Sequence, residues 1–396
     1  MRGVLPIALL AAGLMPALAG AQPRIGPLPG SAWTGEHYAL VAEYAGPVGA
    51  SHDLRTLLVH PELVKGVMPF AQYIAAHSTL PPRDRELLIL RTAFLCGSDY
   101  LWSRHAALAA AVGMSAEVLA RIPAGPEAAG WDPFEATLLR AADELHDISF
   151  ITDETWQALA ARYDTRQLMD ATFTVAEVTM LAMTFNSVGV EPEAWDAPAR
   201  PAPPRQRAAE RTHRPLATPR IEALDPSRWT PAVRAMLDPS GSGRPVAAVY
   251  RTFAQHPELY PPRQILSEYI RTKATLSPRV REMLILRIGY LCGSDYEWAA
   301  HAPAGRRAGL TDAEIRRLAS PGDEGWSDAD GAIVRAVDEL FASDTISDAT
   351  WKALSAQFDE RQLLDLLITT GGYRMVSMAL NTFGVPLEPN AERIPS

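Results

Sequence analysis

Two glutamates and two histidines stand in the same relation twice along this chain. Glu86 precedes His105 by nineteen residues, and Glu282 precedes His301 by nineteen. Between each pair runs Cys-Gly-Ser-Asp-Tyr-x-Trp-x-x-His, from Cys96 to His105 and from Cys292 to His301. A helix, a tight turn and a returning helix would bring such a carboxylate and imidazole face to face. Histidine titrates near neutrality, and a neighbouring carboxylate fixes its tautomer, so the pair can perform general acid–base chemistry. In the second set Glu297 lies four residues before His301, on the same helical face. That site would hold two carboxylates and an imidazole. The first set has Leu101 there and keeps only Glu86 and His105.

The spacing of these residues is part of a longer repeat. At an offset of 196, Trp33 matches Trp229 and His60 matches His256; from about residue 125 the offset is 195, matching Trp156 to Trp351 and Asn186 to Asn381. So long a period means duplicated domains, because solenoid repeats run about 20–50 residues. The expected organisation is a first copy over 22–195, a Pro-rich linker over 196–218 and a second copy over 219–396. Residues 1–21 read as a secretory signal peptide: Arg2, an apolar run from Val4 to Ala17, then small residues. The mature protein is expected in the periplasm or outside the cell, with no further apolar run near 18 residues and no membrane attachment.

The elements that must position the pairs read as helices. Glu86-Leu-Leu-Ile-Leu suits a buried helix, and 134–146 and 155–161 carry apolar residues at three- and four-residue spacing. Gly97-Ser98 and Gly293-Ser294 break the glutamate helix, and each serine is placed to cap the histidine helix. Thr152 and Ser347 are further N-cap signals, and Gly113 and Gly309 close helices. Alternating strand patterns are absent, so the expectation is all-α, with six to eight helices per copy.

Composition narrows the function. A formal net charge of −9 argues against nucleic acid, which requires a basic patch. No H-E-x-x-H or Cys/His cluster indicates a metal, and no Gly-rich phosphate loop is present. Chemistry without metal or cofactor is the expectation. The only cysteines, Cys96 and Cys292, sit in apolar helical contexts that suit buried thiols.

The motif R-E-L-L-I-L-R (R-E-M-L-I-L-R in the second copy)…L-C-G-S-D-Y-x-W-x-x-H, with the later D-E-L and the closing Asn186 or Asn381, resembles carboxymuconolactone decarboxylase-like proteins in both copies. That family shares the all-helical alkylhydroperoxidase D fold. The resemblance implies catalytic Glu86, His105, Glu282 and His301, and in the second copy Glu297 as well, from Tyr296-Glu297-Trp298-x-x-His301. In the peroxidase branch a Cys-x-x-Cys pair precedes the histidine. Here those positions hold Ser98 and Leu101, or Ser294 and Glu297, so the redox pair is missing. The resemblance further implies assembly into rings, with a homo-trimer of this doubled chain acting as a pseudo-hexamer.

Substrate-binding candidates are Tyr100, Trp102, Ser98, Tyr296, Trp298 and Ser294. Each has a structural alternative. The aromatics suit a core, Ser294-x-x-Glu297 is also a capping box, and Glu86 and Glu282 could be ion-pair partners of Arg83, Arg279, Arg91 or Arg287. His60 and His256 suit helix starts. The function expected is an exported, cofactor-independent lyase or isomerase acting on a small carboxylated or lactone-like molecule. A thiol peroxidase and a non-catalytic ligand-binding protein remain the alternatives.

Overall fold

The computed structural model describes residues 22–45, 49–194, 216–388 and 390–395. The expected signal peptide and most of the expected linker lie outside the described residues. Among those described, there are eighteen α-helices and no strand. Nine fall in each copy, more than the six to eight expected, because short segments such as His52–Leu57 and Ala116–Arg121 form helices of their own.

Each copy is built around one buried helix, Pro82–Leu95 in the first and Pro278–Leu291 in the second. Pro82 and Pro278 occupy first-turn positions, where a missing N–H costs nothing. These helices are buried along most of their length, charged Glu86, Arg91, Glu282 and Arg287 included, and therefore have neighbours on every side. Each packs against three: its copy's histidine helix (Asp99–Ala109 or Asp295–Arg307), Pro133–Ile148 or Asp328–Ser343, and a 24-residue closing helix, Thr165–Val188 or Glu360–Phe383. The chain reverses between the first two at Gly97 (φ +67°) and Gly293 (φ +63°), left-handed positions that disfavour any side chain. Thr152 and Ser347 cap helices as expected, each contributing roughly 1 kcal/mol.

The closing helices pack on each other and join the copies. Thr165–Val188 corrects the expectation that no later apolar run is long enough to span a membrane. An 18-residue window within it has mean hydropathy 1.3, and 94% of that window is buried inside the protein. Its apolar surface is used in the core between the copies.

Other contacts across the join are reciprocal. The Tyr73 hydroxyl donates to Asp170 (2.8 Å) and lies 2.9 Å from Nε2 of His256 in the other copy. The backbone N–H and the hydroxyl of Thr79 also donate to Asp170. The same arrangement recurs with Tyr269, Asp365, Thr275 and His60. His60 and His256 are therefore buried inter-copy residues, and His60 is also the N-cap residue of the helix Pro61–Gln72, a helix start as the sequence suggested. Burial would raise the Asp170 carboxyl, but His256 and Thr79 outweigh it and hold the group below its usual range.

One inter-copy cluster lacks a symmetric counterpart. Asp344 accepts from Arg374 at 2.7 Å and lies 3.1 Å from Nε2 of His146. The matching positions hold Ser149, Thr179 and Phe341. Cys96 brings its thiol into this group, so thiol, imidazole and carboxylate atoms lie within 4.8 Å of one another. Asp344 already balances the Arg374 charge there, which makes the cluster an inter-copy ion-pair network. Cys96 and Cys292 are buried and outside any disulfide.

Candidate active site

The helix–turn–helix of each copy delivers its glutamate and histidine to one point. Nδ1 of His301 lies 2.7 Å from Oε2 of Glu282, and Nδ1 of His105 lies 2.8 Å from Oε2 of Glu86. A carboxylate only accepts, so Nδ1–H donates and Nε2 is left as the basic nitrogen. Both glutamates are buried, and both histidine side chains remain 18% exposed, enough for contact with a small molecule. The arginines that could have claimed the glutamates are engaged elsewhere. Arg83 pairs with Glu135, Arg279 with Asp330 and Glu314, Arg91 with Asp143, and Arg287 with Asp338. The nearest guanidinium to each glutamate is its sequence neighbour, with Nε of Arg85 at 4.0 Å and Nε of Arg281 at 3.5 Å.

The copies differ beyond this pair. In the second, Oε2 of Glu297 stands 3.4 Å from Nε2 of His301. No capping box forms at Ser294 and Glu297; the glutamate turns inward toward the histidine, and the Ser294 hydroxyl is buried without a partner among the described residues. Burial pushes the Glu297 carboxyl above its ordinary value, the charge of Glu282 adds to this, and His301 and Arg263 oppose it. In the first copy Ser98 does cap its helix, accepting from the Leu101 N–H at 3.5 Å, and Leu101 is packed in the core.

A pocket of about 100 Å³ opens over His301 and Glu297. A single water needs about 10–15 Å³ by that measure, so several waters or a small organic molecule fit. Leu266, Ile270, Met375 and Val376 supply apolar wall. Tyr373 sets its ring edge-to-face with the His301 imidazole at 4.9 Å, and Tyr250 and Arg263 complete the polar side. Burial first, then the charges of Glu297 and Glu282, keep the Tyr373 phenol protonated as a donor. Tyr296 also lines the pocket, and burial pushes its phenol up to about 12.

The other sequence candidates lie elsewhere. Trp298 and Trp102 are core residues, in line with their structural reading, and Tyr100 packs edge-on against Phe185 at 5.5 Å. Ser98 and Ser294 are fully buried at the helix break. Conversely, Arg263, Tyr373 and Tyr250 were not singled out from the sequence. Comparison of the copies carried the signal: their counterparts are Val67, Val178 and Leu54. Three aliphatic-to-polar differences converge on one pocket. A fourth runs the other way: Gly372 lines the pocket, and its counterpart is Glu177. Glu177 is buried, its Oε1 has no partner among the described residues, and burial alone pushes its carboxyl up to about 8.

The profile of the carboxymuconolactone decarboxylase family matches residues 61–144 and 257–324, one stretch in each copy. The two matches, one in each copy, are consistent with a tandem duplication of carboxymuconolactone decarboxylase-like helical domains. Both Glu–His pairs fall within the matched stretches. Among curated proteins none matches the chain.

Proposed function

We propose that the second copy is a cofactor-independent lyase or isomerase that moves protons on a small carboxylated or lactone-like substrate. The observation that supports this reading is the line Glu282–His301–Glu297 at the wall of a pocket. Glu282 fixes the imidazole so that Nε2 points away from it and toward Glu297. Nε2 is then the base, and Glu297, whose carboxyl is pushed above its ordinary value by burial, is the acid. The 3.4 Å separation is long for a hydrogen bond, and such contacts tighten when substrate binds. In an isomerase turn, Nε2 takes a proton next to a carbonyl and Glu297 returns one to the other end of the resulting enolate. In a lyase turn, the bond to a carboxylate carbon breaks and CO2 leaves. The electron pair stays on the substrate carbon, delocalised into the adjacent carbonyl, until Glu297 protonates it. Tyr373, beside the His301 ring in the pocket lining, supplies an O–H to donate to the developing oxyanion.

The thiol-peroxidase reading is disfavoured by the missing Cys-x-x-Cys and by the burial of Cys96 and Cys292. In the first copy the Glu86–His105 pair lacks the second acid, and we assign it a scaffold role or an altered specificity. Export and assembly as a trimeric pseudo-hexamer belong to the same proposal; light scattering that gave the mass of one chain would end the assembly part.

Substrate screening with the wild-type protein, Glu282→Gln and His301→Ala tests the chemistry. Turnover of a carboxylated or lactone substrate that falls in both variants supports the reading. Equal turnover in all three proteins refutes it, and binding without turnover favours the ligand-binding alternative.

A further inference from the structure

Among the described residues four arginines are buried, and three of them face a carboxylate. Arg91 pairs with Asp143, Arg287 with Asp338 and Arg374 with Asp344. The fourth, Arg263, on the helix Tyr260–Thr272, is 5% exposed. Among the described residues no carboxylate lies within ion-pair distance of it. Its Nη1 donates to Oε1 of Gln264 at 2.9 Å, and its guanidinium lies over the Phe253 ring at 4.8 Å. A buried cation with no carboxylate in direct contact, Glu297 acting on it only from a distance, is costly, and such a group persists where something other than stability retains it. Arg263 lines the pocket that holds His301 and Glu297, and its counterpart in the first copy is Val67.

We propose that Arg263 is the specificity-determining residue of the second copy, binding a carboxylate of the ligand within the pocket. The identification of this pocket as the reactive site rests on the function proposed above; the binding claim stands apart from turnover. A guanidinium matches a planar carboxylate with two parallel N–H donors, a geometry lysine lacks. The apolar wall opposite, from Leu266 to Val376, suits a hydrocarbon body attached to that carboxylate. The acidic neighbours Glu282 and Glu297 disfavour a doubly charged phosphate. The first copy, with Val67 and Leu101, has neither the anchor nor the second acid, so ligand selection and chemistry are gathered in one copy.

Calorimetric titration of the intact chain with benzoate, its neutral analogue benzamide, and inorganic phosphate tests this. The wild-type protein should bind benzoate at least about tenfold more tightly than either other probe, a difference of about 1.4 kcal/mol. Arg263→Met should abolish that preference and leave benzamide binding within about twofold. Arg263→Lys should fall between the two. The ligand-free thermal midpoint of Arg263→Met should equal or exceed that of the wild type, since an unpaired buried charge is removed. Benzoate preference that survives in Arg263→Met overturns the proposal. So does wild-type binding that favours phosphate or does not distinguish benzoate from benzamide, and so does a marked drop in the thermal midpoint of Arg263→Met, which would make the residue structural. His301→Ala should retain the benzoate preference. If it does so while wild-type and His301→Ala proteins turn over substrates equally, the acid–base reading fails and the anchor stands.

Discussion

Glu297 and His301 lie one helical turn apart with Oε2 and Nε2 separated by 3.4 Å, and Leu101 replaces the glutamate in the first copy. This difference adds to those at Arg263, Tyr373, Tyr250 and Gly372, and it alone decides whether a carboxylate stands one helical turn before the histidine. Burial raises the Glu297 carboxyl, so its acid form persists above the usual carboxylate range. Rate in the wild type should fall as pH rises through that raised value, because the proton donor is lost. Glu297→Gln should lower kcat by about 10²- to 10⁴-fold and remove this limb from the pH–rate profile. A profile and kcat unchanged in the variant would assign Glu297 to structure.

Gly372 sits where a Cβ would meet Cδ1 of Ile270 at 2.8 Å. Gly372→Glu, which installs the first copy's residue, should fill the second pocket. Benzoate binding should weaken at least about tenfold, as expected when a carboxylate displaces the site's occupant and repels its charge. Calorimetry showing equal affinity would separate the pocket from the ligand site.

Glu177 predicts a pH-dependent stability. Its folded-state value of about 8 lies above the 4.5 of the free side chain. Below pH about 4.5 both folded and unfolded forms hold the proton, and the stability is fully present. As pH rises toward about 8 the unfolded chain ionises first, and stability is lost, by at most about 5 kcal/mol. Glu177→Gln should flatten this slope in urea unfolding followed between those two pH values. An unchanged slope would place the loss in other groups.

The chain's duplication and the Glu–His pairs were legible because they are matters of residue type and spacing. Helix, break and returning helix follow from Gly97-Ser98 and Gly293-Ser294, and the capping signals at Thr152 and Ser347 were local. Other roles were set by tertiary partners. His60 and His256 resemble helix starts in sequence, and only the other copy's Asp365 and Asp170 make them inter-copy residues. Ser294-x-x-Glu297 satisfies the capping-box pattern, yet the pull of His301 and the buried pocket wall turns the glutamate inward. Arg263 and Tyr373 come from helices distant in sequence from the motif, so spacing could not reach them.

Asp170 tests the join between the copies. It accepts from Tyr73 and twice from Thr79 and faces His256. Asp170→Ala strands these buried donors and should cost about 3–5 kcal/mol in urea unfolding. A loss below about 1 kcal/mol would show that apolar packing of the closing helices alone holds the copies together.

Two matched variants decide whether the second copy's Glu–His pair does the chemistry. His301→Ala and His105→Ala remove the same side chain from equivalent places, each beside a buried glutamate. On any substrate that the wild-type protein turns over, kcat/KM should fall by at least about 10²-fold in His301→Ala and stay within about twofold in His105→Ala. Equal losses in the two variants, or a loss confined to His105→Ala, would show that the chemistry does not belong to the second copy's pair.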